Sequence, residues 1–280
     1  MDLIEAFILG VLQGITEFLP ISSSGHLALA KQFLGSDVET GITFEVVVHF
    51  GTLVSIMYYY RGELSELIKE GVNFLAQPSV NKDRPQVQFL GYVLVSMIPA
   101  FLVGFTLKDQ VESIFSNPVL VSAMLLVTGV LLFSTKFTQT NVMTVDGSDH
   151  QKANFGNLGV KKSFFIGLAQ AFAMIPGISR SGSTITTALW LGVDRDTAAN
   201  FSFIMVIPVI GGAMLLQMIE LFELGVADAQ IQVLLMGFIS SAISGFFALK
   251  YLILILKKSG FYLFAFYCWA LGLLGFVLFW

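Results

Sequence analysis

Apolar residues run along most of this chain in long blocks separated by short polar stretches. Six blocks are long enough to cross about 30 Å of hydrocarbon as helices. They cover roughly residues 43–60, 86–107, 117–135, 197–220, 229–256 and 260–280. Two further regions, 2–34 and 160–192, have a different pattern: an apolar run, a Pro/Gly/Ser break, then a second short apolar run. Neither half of either region is long enough to span. A broken helix survives at membrane depth only where its freed backbone lines a cavity or is buried in protein. Both regions are therefore expected to be re-entrant helical hairpins.

The pattern repeats. At an offset of about 157 residues, Gln13 falls on Gln170, Ser22 on Ser179, Ser24 on Ser181 and Gly25 on Gly182. Thr43-Phe44-Glu45 falls on Asn200-Phe201-Ser202, while Pro20 and Pro176 are out of phase by one. Each half reads as one hairpin plus three spans. Three is odd, so the second half must be inverted relative to the first, as in many transporters. The expected fold is an all-α polytopic membrane protein with an inverted-topology repeat and six spans. Residues 1–135 form the first repeat, 136–159 a cytoplasmic linker, and 160–280 the second repeat.

Composition agrees with this layout. Of 280 residues, 55% are hydrophobic and 12% charged, where a soluble domain would carry about 25% charged residues. A net charge of −4 argues against nucleic acid as a partner. The single cysteine, Cys268, excludes an intramolecular disulfide and a thiolate metal site. The first lysine is Lys31, so no basic start of a cleavable signal peptide is expected. In the six-span layout, twelve Lys and Arg fall on one side, and only Lys31 and Lys108 on the other. That bias makes the loops 61–85, 136–160 and 250–259 cytoplasmic and puts both termini outside. The first hairpin then enters from the outer face and the second from the cytoplasmic face, so their tips would meet inside the membrane.

The candidate chemistry lies in the two breaks. Gln13 and Glu17 are four apart, on one helical face just before Pro20. Ser22-Ser23-Ser24-Gly25-His26 follows, and the first amide N–H groups of a helix starting there favour an anion. Ser179-Arg180-Ser181-Gly182-Ser183-Thr184 offers a similar arrangement from the other hairpin, and Arg180 adds a forked positive charge suited to phosphate oxygens. The phosphate-binding set is expected to be Arg180, Ser179, Ser181, Ser183, Thr184, Ser24, Gly25 and Gly182. Plainer roles compete within it: Ser22 and Ser179 can cap helices, and the two glycines can allow close packing between hairpins. An arginine in a membrane break needs an anionic partner or a water-filled cavity, and Glu17 could be that partner in the empty protein. His26, three residues from Ser23, can approach its hydroxyl as base or orienter. Glu45 is a candidate supporting carboxylate. His49, one turn from it, reads as its satisfied partner, and Glu63, Glu66, Lys69 and Glu70 as a solvated face.

The stretch from Gln13 through Glu17-Phe18-Leu19-Pro20 to Ser22-Ser23-Ser24-Gly25-His26 resembles the first signature of bacterial undecaprenyl-pyrophosphate phosphatases, the bacitracin-resistance proteins. Pro176-Gly177-Ile178-Ser179-Arg180-Ser181-Gly182-Ser183-Thr184 resembles their second. The likeness covers the whole chain, including Thr43-Phe44-Glu45 and Asn200-Phe201-Ser202-Phe203. Gln13 stands at the first position of the Glu/Gln-xxx-Glu motif, so Glu17 must supply any charge from it.

The resemblance implies hydrolysis of a C55 polyprenyl pyrophosphate, which recycles the lipid carrier of peptidoglycan synthesis. It implies a multi-pass protein of the bacterial cell membrane with its site open to the periplasmic or outer face, and bacitracin as competitor for the substrate. It also implies a divalent cation, Mg2+ or Ca2+, held by Glu17 and Glu45, although no metal-ligand spacing demands one. A homodimer is compatible with the chain. In the expected chemistry Ser23 attacks phosphorus or orients a water, His26 relays the proton, Glu17 holds a metal or acts as base, and Arg180 stabilises the oxygens. The rival reading is a transporter or flippase of polyprenyl phosphate using the same anion site, which needs binding groups but no nucleophile.

Overall fold

The computed structural model describes residues 1–34, 41–138, 157–224, 228–257 and 260–280. Most of the expected 136–159 linker lies outside the described residues. Thirteen α-helices and short 3-10 turns make up the described structure, with no strand among those residues. In order they are α1 (Leu3–Phe18), α2 (Ser23–Leu34), α3 (Gly41–Tyr59), α4 (Arg61–Ala76), α5 (Pro78–Asn81), α6 (Pro85–Thr106), α7 (Lys108–Phe115), α8 (Pro118–Ser134), α9 (Val160–Phe172), α10 (Arg180–Trp190), α11 (Arg195–Leu224), α12 (Asp228–Lys257) and α13 (Phe264–Phe279). Among the described residues, four segments are long and apolar enough to cross a membrane: Pro85–Thr106, Pro118–Phe137, Ile231–Leu256 and Phe261–Phe279. The shorter Thr43–Tyr59 is apolar as well. The chain is a multi-pass membrane protein.

Local sequence sets the helix ends. Asp2 and Glu5 form a reciprocal capping box that starts α1. That helix stops at Leu19, held extended (φ −60°, ψ 144°) before Pro20, because the proline ring disfavours helical backbone in the preceding residue. Pro85 and Pro118 open α6 and α8, where a missing N–H costs nothing. Asn117 caps α8 through the amides of Val119 and Leu120. The stretch 61–76, expected only as a solvated charged face, is a helix. Glu70 pairs with Arg84, and Glu66 accepts from Gln86 at 2.7 Å, which ties α4 to the start of α6.

Small residues let the long helices approach. A Cβ on Gly10 would lie 2.6 Å from Gly237 O, and one on Gly14 would lie 2.6 Å from Ser241 O, so α1 lies directly against α12. A Cβ on Gly167 would run into Ser96 O, so α9 lies against α6 in the same way. Such contact gives backbones close van der Waals packing where no hydrophobic effect drives association. Inside, Phe18 meets Phe203 edge-on at 6.0 Å, and Phe89 meets Phe201 at 5.6 Å. These rings pin the end of α1 to α11, and α6 to α11.

Candidate active site

The two breaks face each other. A Cβ on Gly25 would lie 3.0 Å from Gly177 Cα, so the tip of α2 touches the second break. Gly177 itself has φ +92°, and a side chain there would run into Val121 O of α8. Ser181 Oγ donates to Leu19 O at 3.3 Å, stitching one break to the other. Thr128, a hydroxyl inside the apolar α8, donates to Gly177 O at 2.8 Å and accepts from Ser179 N at 3.0 Å. Nothing in the sequence singled out Thr128, one of three hydroxyl residues in the apolar α8 with Ser122 and Ser134.

Both short helices begin with a serine cap, as the sequence suggested. Ser22 Oγ accepts from Gly25 N at 3.2 Å, and Ser179 Oγ accepts from Gly182 N at 3.0 Å. Each cap satisfies the third amide of its helix and leaves the first two directed into the break. Ser22 holds this place at φ +68°, a left-handed conformation uncommon outside glycine.

At the meeting point lies Glu17, 8% exposed and gripped from four sides. Arg180 Nη2 donates to Oε1 at 2.6 Å. Ser23 Oγ donates to Oε2 at 2.6 Å, and Gln13 Nε2 to the same oxygen at 2.9 Å. His49 Nε2 stands 3.5 Å from Oε2. A carboxylate this deeply buried stays ionised only when paired and hydrogen-bonded, and all of that support is present. Gln13, Glu17, Ser23 and Arg180, four of the expected residues, therefore come together. His49, read as Glu45's structural partner, joins them.

The proton relay expected between Ser23 and His26 is not the arrangement found. His26 Nδ1 donates to Ser22 O at 2.7 Å, and Nε2 accepts from the Tyr267 hydroxyl at 2.9 Å, with the two rings parallel at 5.6 Å. The left-handed turn at Ser22 aims its carbonyl at the ring and draws the imidazole toward α13. The group beside the Ser23 hydroxyl is Glu17.

Other expected residues lie farther from the junction. Ser24 Oγ is 3.3 Å from Ser22 Oγ. Thr184 is inside α10, bonded to Arg180 O at 2.9 Å and to Ser202 Oγ at 2.6 Å. Ser183 is buried with no side-chain partner among the described residues, as is Gln170. A Cβ on Gly182 would meet its own cap, Ser179, at 3.0 Å, so that glycine serves the turn rather than the contact between hairpins.

The metal expectation does not fit the residues as arranged. Both Glu17 oxygens accept hydrogen bonds, and Glu45 Oε1 pairs with Lys31 Nζ at 2.6 Å. Among the described residues no three His, Cys, Asp or Glu side chains gather as ligands. As arranged, the two carboxylates expected to hold the ion are each paired with a cationic side chain, Glu17 with Arg180 and Glu45 with Lys31.

The arrangement supplies a hydroxyl on a carboxylate, a guanidinium on the opposite oxygen, and two helix N-termini aimed at one break. That set suits attack on a phosphorus atom whose oxygens need positive and N–H partners. Comparison with known proteins points the same way. The profile of a family described as "Bacitracin resistance protein BacA" matches residues 6–274. A Methanobrevibacter smithii protein described as undecaprenyl-diphosphatase is 37% identical over 284 residues, 99% of this chain and 98% of that protein. Proteins with the same description are 40% identical in Desulfosudis oleivorans, over 97% of both chains, and 38% identical in Methanosphaera stadtmanae, over 99% and 98%.

Proposed function

The chain belongs to the bacitracin resistance protein BacA family, and from that premise we propose that it hydrolyses undecaprenyl diphosphate to undecaprenyl phosphate and inorganic phosphate. The lipid carrier of cell-wall synthesis is thereby recycled, and bacitracin, which competes for the same lipid diphosphate, loses its target. One observation carries the assignment of roles: the Ser23 hydroxyl donates at 2.6 Å to a carboxylate whose other oxygen is held by Arg180.

In this reading the terminal phosphate enters the break between α2 and α10 and draws Arg180 from Glu17 onto its own oxygens. Ser23 Oγ forms the new bond to the terminal phosphorus as its proton passes to Glu17. The bond from phosphorus to the bridging oxygen breaks, and undecaprenyl phosphate leaves with that oxygen. Glu17 passes that proton to the departing lipid phosphate; water then attacks the phosphoserine and gives a proton to Glu17, which returns it to Ser23 Oγ as the Ser23–phosphorus bond breaks and phosphate leaves. Arg180 and the first amides of α2 and α10 stabilise the equatorial oxygens throughout. His26 and Tyr267 hold the turn at Ser22 and so the aim of α2. The divalent cation implied by the sequence resemblance would come with the diphosphate, whose oxygens can ligate it, and would offset its charge.

The same reading places this site between two inverted repeats, each a re-entrant hairpin and three spans, open to the outer face. Three equivalences support it: Gly10 and Gly167 each seat a hairpin helix on a long helix, Ser22 and Ser179 each cap a short helix, and Ser23 and Arg180 each open one. The test is phosphate release from C55 diphosphate by detergent-purified protein, where no compartments exist for transport. Wild-type release with loss in Ser23→Ala is expected. Full turnover in that variant would remove the nucleophile, and no release by the wild type would remove the enzyme.

A further inference from the structure

A second place suited to an anion lies at the other end of α10. A cavity of about 190 Å³ is bounded by Lys136, Thr135 and Thr138 after α8, Leu189 of α10, Arg195 at the start of α11, and Tyr262 before α13. Leu189 is nine residues along α10 from Arg180, which puts the cavity about 14 Å along the helix axis from the catalytic junction. Four elements build it, so it is a structural pocket rather than one helix end.

Its charges are unbalanced. Among the described residues that line it, two are cationic and none is acidic. Arg195 Nε is buried with no hydrogen-bond partner among the described residues. The Lys136 ammonium lies over the Phe133 ring at 5.6 Å and the Tyr262 ring at 5.8 Å. Of the two aspartates that flank Arg195, Asp194 accepts from the Thr197 amide at 2.9 Å, and neither Asp194 nor Asp196 lines the cavity. Two like charges facing one cavity repel, and a buried donor left unpaired is destabilising. A bound anion relieves both. The guanidinium fork matches phosphate oxygens, the ammonium adds a point charge, and the Tyr262 hydroxyl adds a neutral donor. At roughly 30 Å³ per water the space holds about six waters, enough for a phosphate group.

We propose that this cavity is a phosphate-binding site, separate from the catalytic one, held by Lys136 and Arg195. Its ligand is either free phosphate or the phosphate of an anionic lipid headgroup, and the experiment separates these sources. Inorganic phosphate is titrated calorimetrically into the full chain in neutral detergent. In parallel, the chain is placed in phosphatidylcholine nanodiscs with and without phosphatidic acid, reading the fluorescence of Trp190, whose indole donates to Ser134 Oγ at 3.1 Å beside the cavity.

For free phosphate, the wild type takes up two equivalents. Lys136→Gln and Arg195→Gln each weaken one site at least tenfold, and Arg180→Gln weakens the other. For a headgroup, phosphatidic acid shifts the Trp190 signal in the wild type and not in Lys136→Gln. Lys136→Arg retains binding, and Lys136→Gln keeps wild-type turnover in phosphate-free detergent, which shows that it folds. Phosphate stoichiometry and lipid response unchanged in both Lys136→Gln and Arg195→Gln would overturn the site. Loss of phosphate binding only in Arg180→Gln would do the same while leaving the catalytic reading intact.

Discussion

Ser23 and Arg180 are the first residues of the two short helices that follow the two breaks, and each binds one oxygen of the same carboxylate. Ser23 Oγ reaches Glu17 Oε2 at 2.6 Å, and Arg180 Nη2 reaches Oε1 at 2.6 Å. The first position of the helix carries a hydroxyl in one case and a guanidinium in the other. The carboxylate between them is the ion partner of Arg180.

Loss of the Ser23 hydroxyl should abolish chemistry while sparing the fold. Its side chain is partly exposed and makes one bond, so Ser23→Ala should unfold within a few degrees of wild type. Turnover should fall by about three orders of magnitude or more, the usual scale for a nucleophile acting as a unit with its base. Single-turnover phosphate release, with a thermal melt on the same sample, measures both.

Glu17→Gln separates the base from the grip. The amide keeps the size of the side chain but loses the charge that accepts the Ser23 proton and holds Arg180. The rate constant kcat should fall about 10²–10⁴-fold, the range for general-base loss. KM for the lipid diphosphate should hold or fall, because Arg180 no longer has to leave a carboxylate to bind substrate. A rise in KM with kcat unchanged would show that Glu17 only binds.

Much of this was legible before the structure. Long apolar blocks meant helices, two interrupted blocks meant broken ones, and polar residues too costly for a membrane marked the site. What could not be read was which polar groups meet. Ser23 lies six residues from Glu17 across a proline turn, and no helical spacing predicts their contact. The Ser23–His26 spacing of three suggested a pair, but the positive φ at Ser22 turned the imidazole to Tyr267, a residue 241 positions away. His49 reaches Glu17 because α3 packs beside α1, a tertiary fact with no local signature.

His49 should affect rate more than stability. Its Nδ1 proton is committed to Glu45 O at 2.7 Å, so Nε2 can donate to Glu17 only when the ring carries a second proton. The pair therefore has a place for the proton that Glu17 takes from Ser23. His49→Leu should lower kcat about tenfold, roughly 1.4 kcal/mol of barrier, with KM within twofold of wild type. Steady-state kinetics decide it, and an unchanged kcat would return His49 to a packing role.

Thr128 should matter to the site without touching substrate. Its single hydroxyl satisfies the Gly177 carbonyl and the Ser179 amide, both in the second break. Thr128→Val keeps the shape and strands both groups, at about 1–3 kcal/mol for each buried orphan. The melting temperature should drop, and kcat should fall with it as Arg180 loses its fixed aim. Thr128→Ser should restore both, which separates the hydroxyl from the methyl.

Two glycines with positive φ test whether the tip contact or backbone strain governs the break. Gly192 has φ +72° with nothing within 4 Å of where a methyl would stand, so Gly192→Ala should cost only the strain of a left-handed residue, about 1–2 kcal/mol. Gly177 has φ +92°, but its Cβ would also run into Val121 O and lie 2.7 Å from Met124 Cβ. Neither neighbour can yield without moving α8. Gly177→Ala should therefore push the second break away from Gly25 and separate Arg180 from Glu17. Folded yield should fall sharply, and any folded fraction should show weaker binding of the lipid diphosphate. Gly192→Ala should lose stability alone and retain turnover. If the two variants behave alike in melting and in kinetics, strain rather than the contact between tips controls the site.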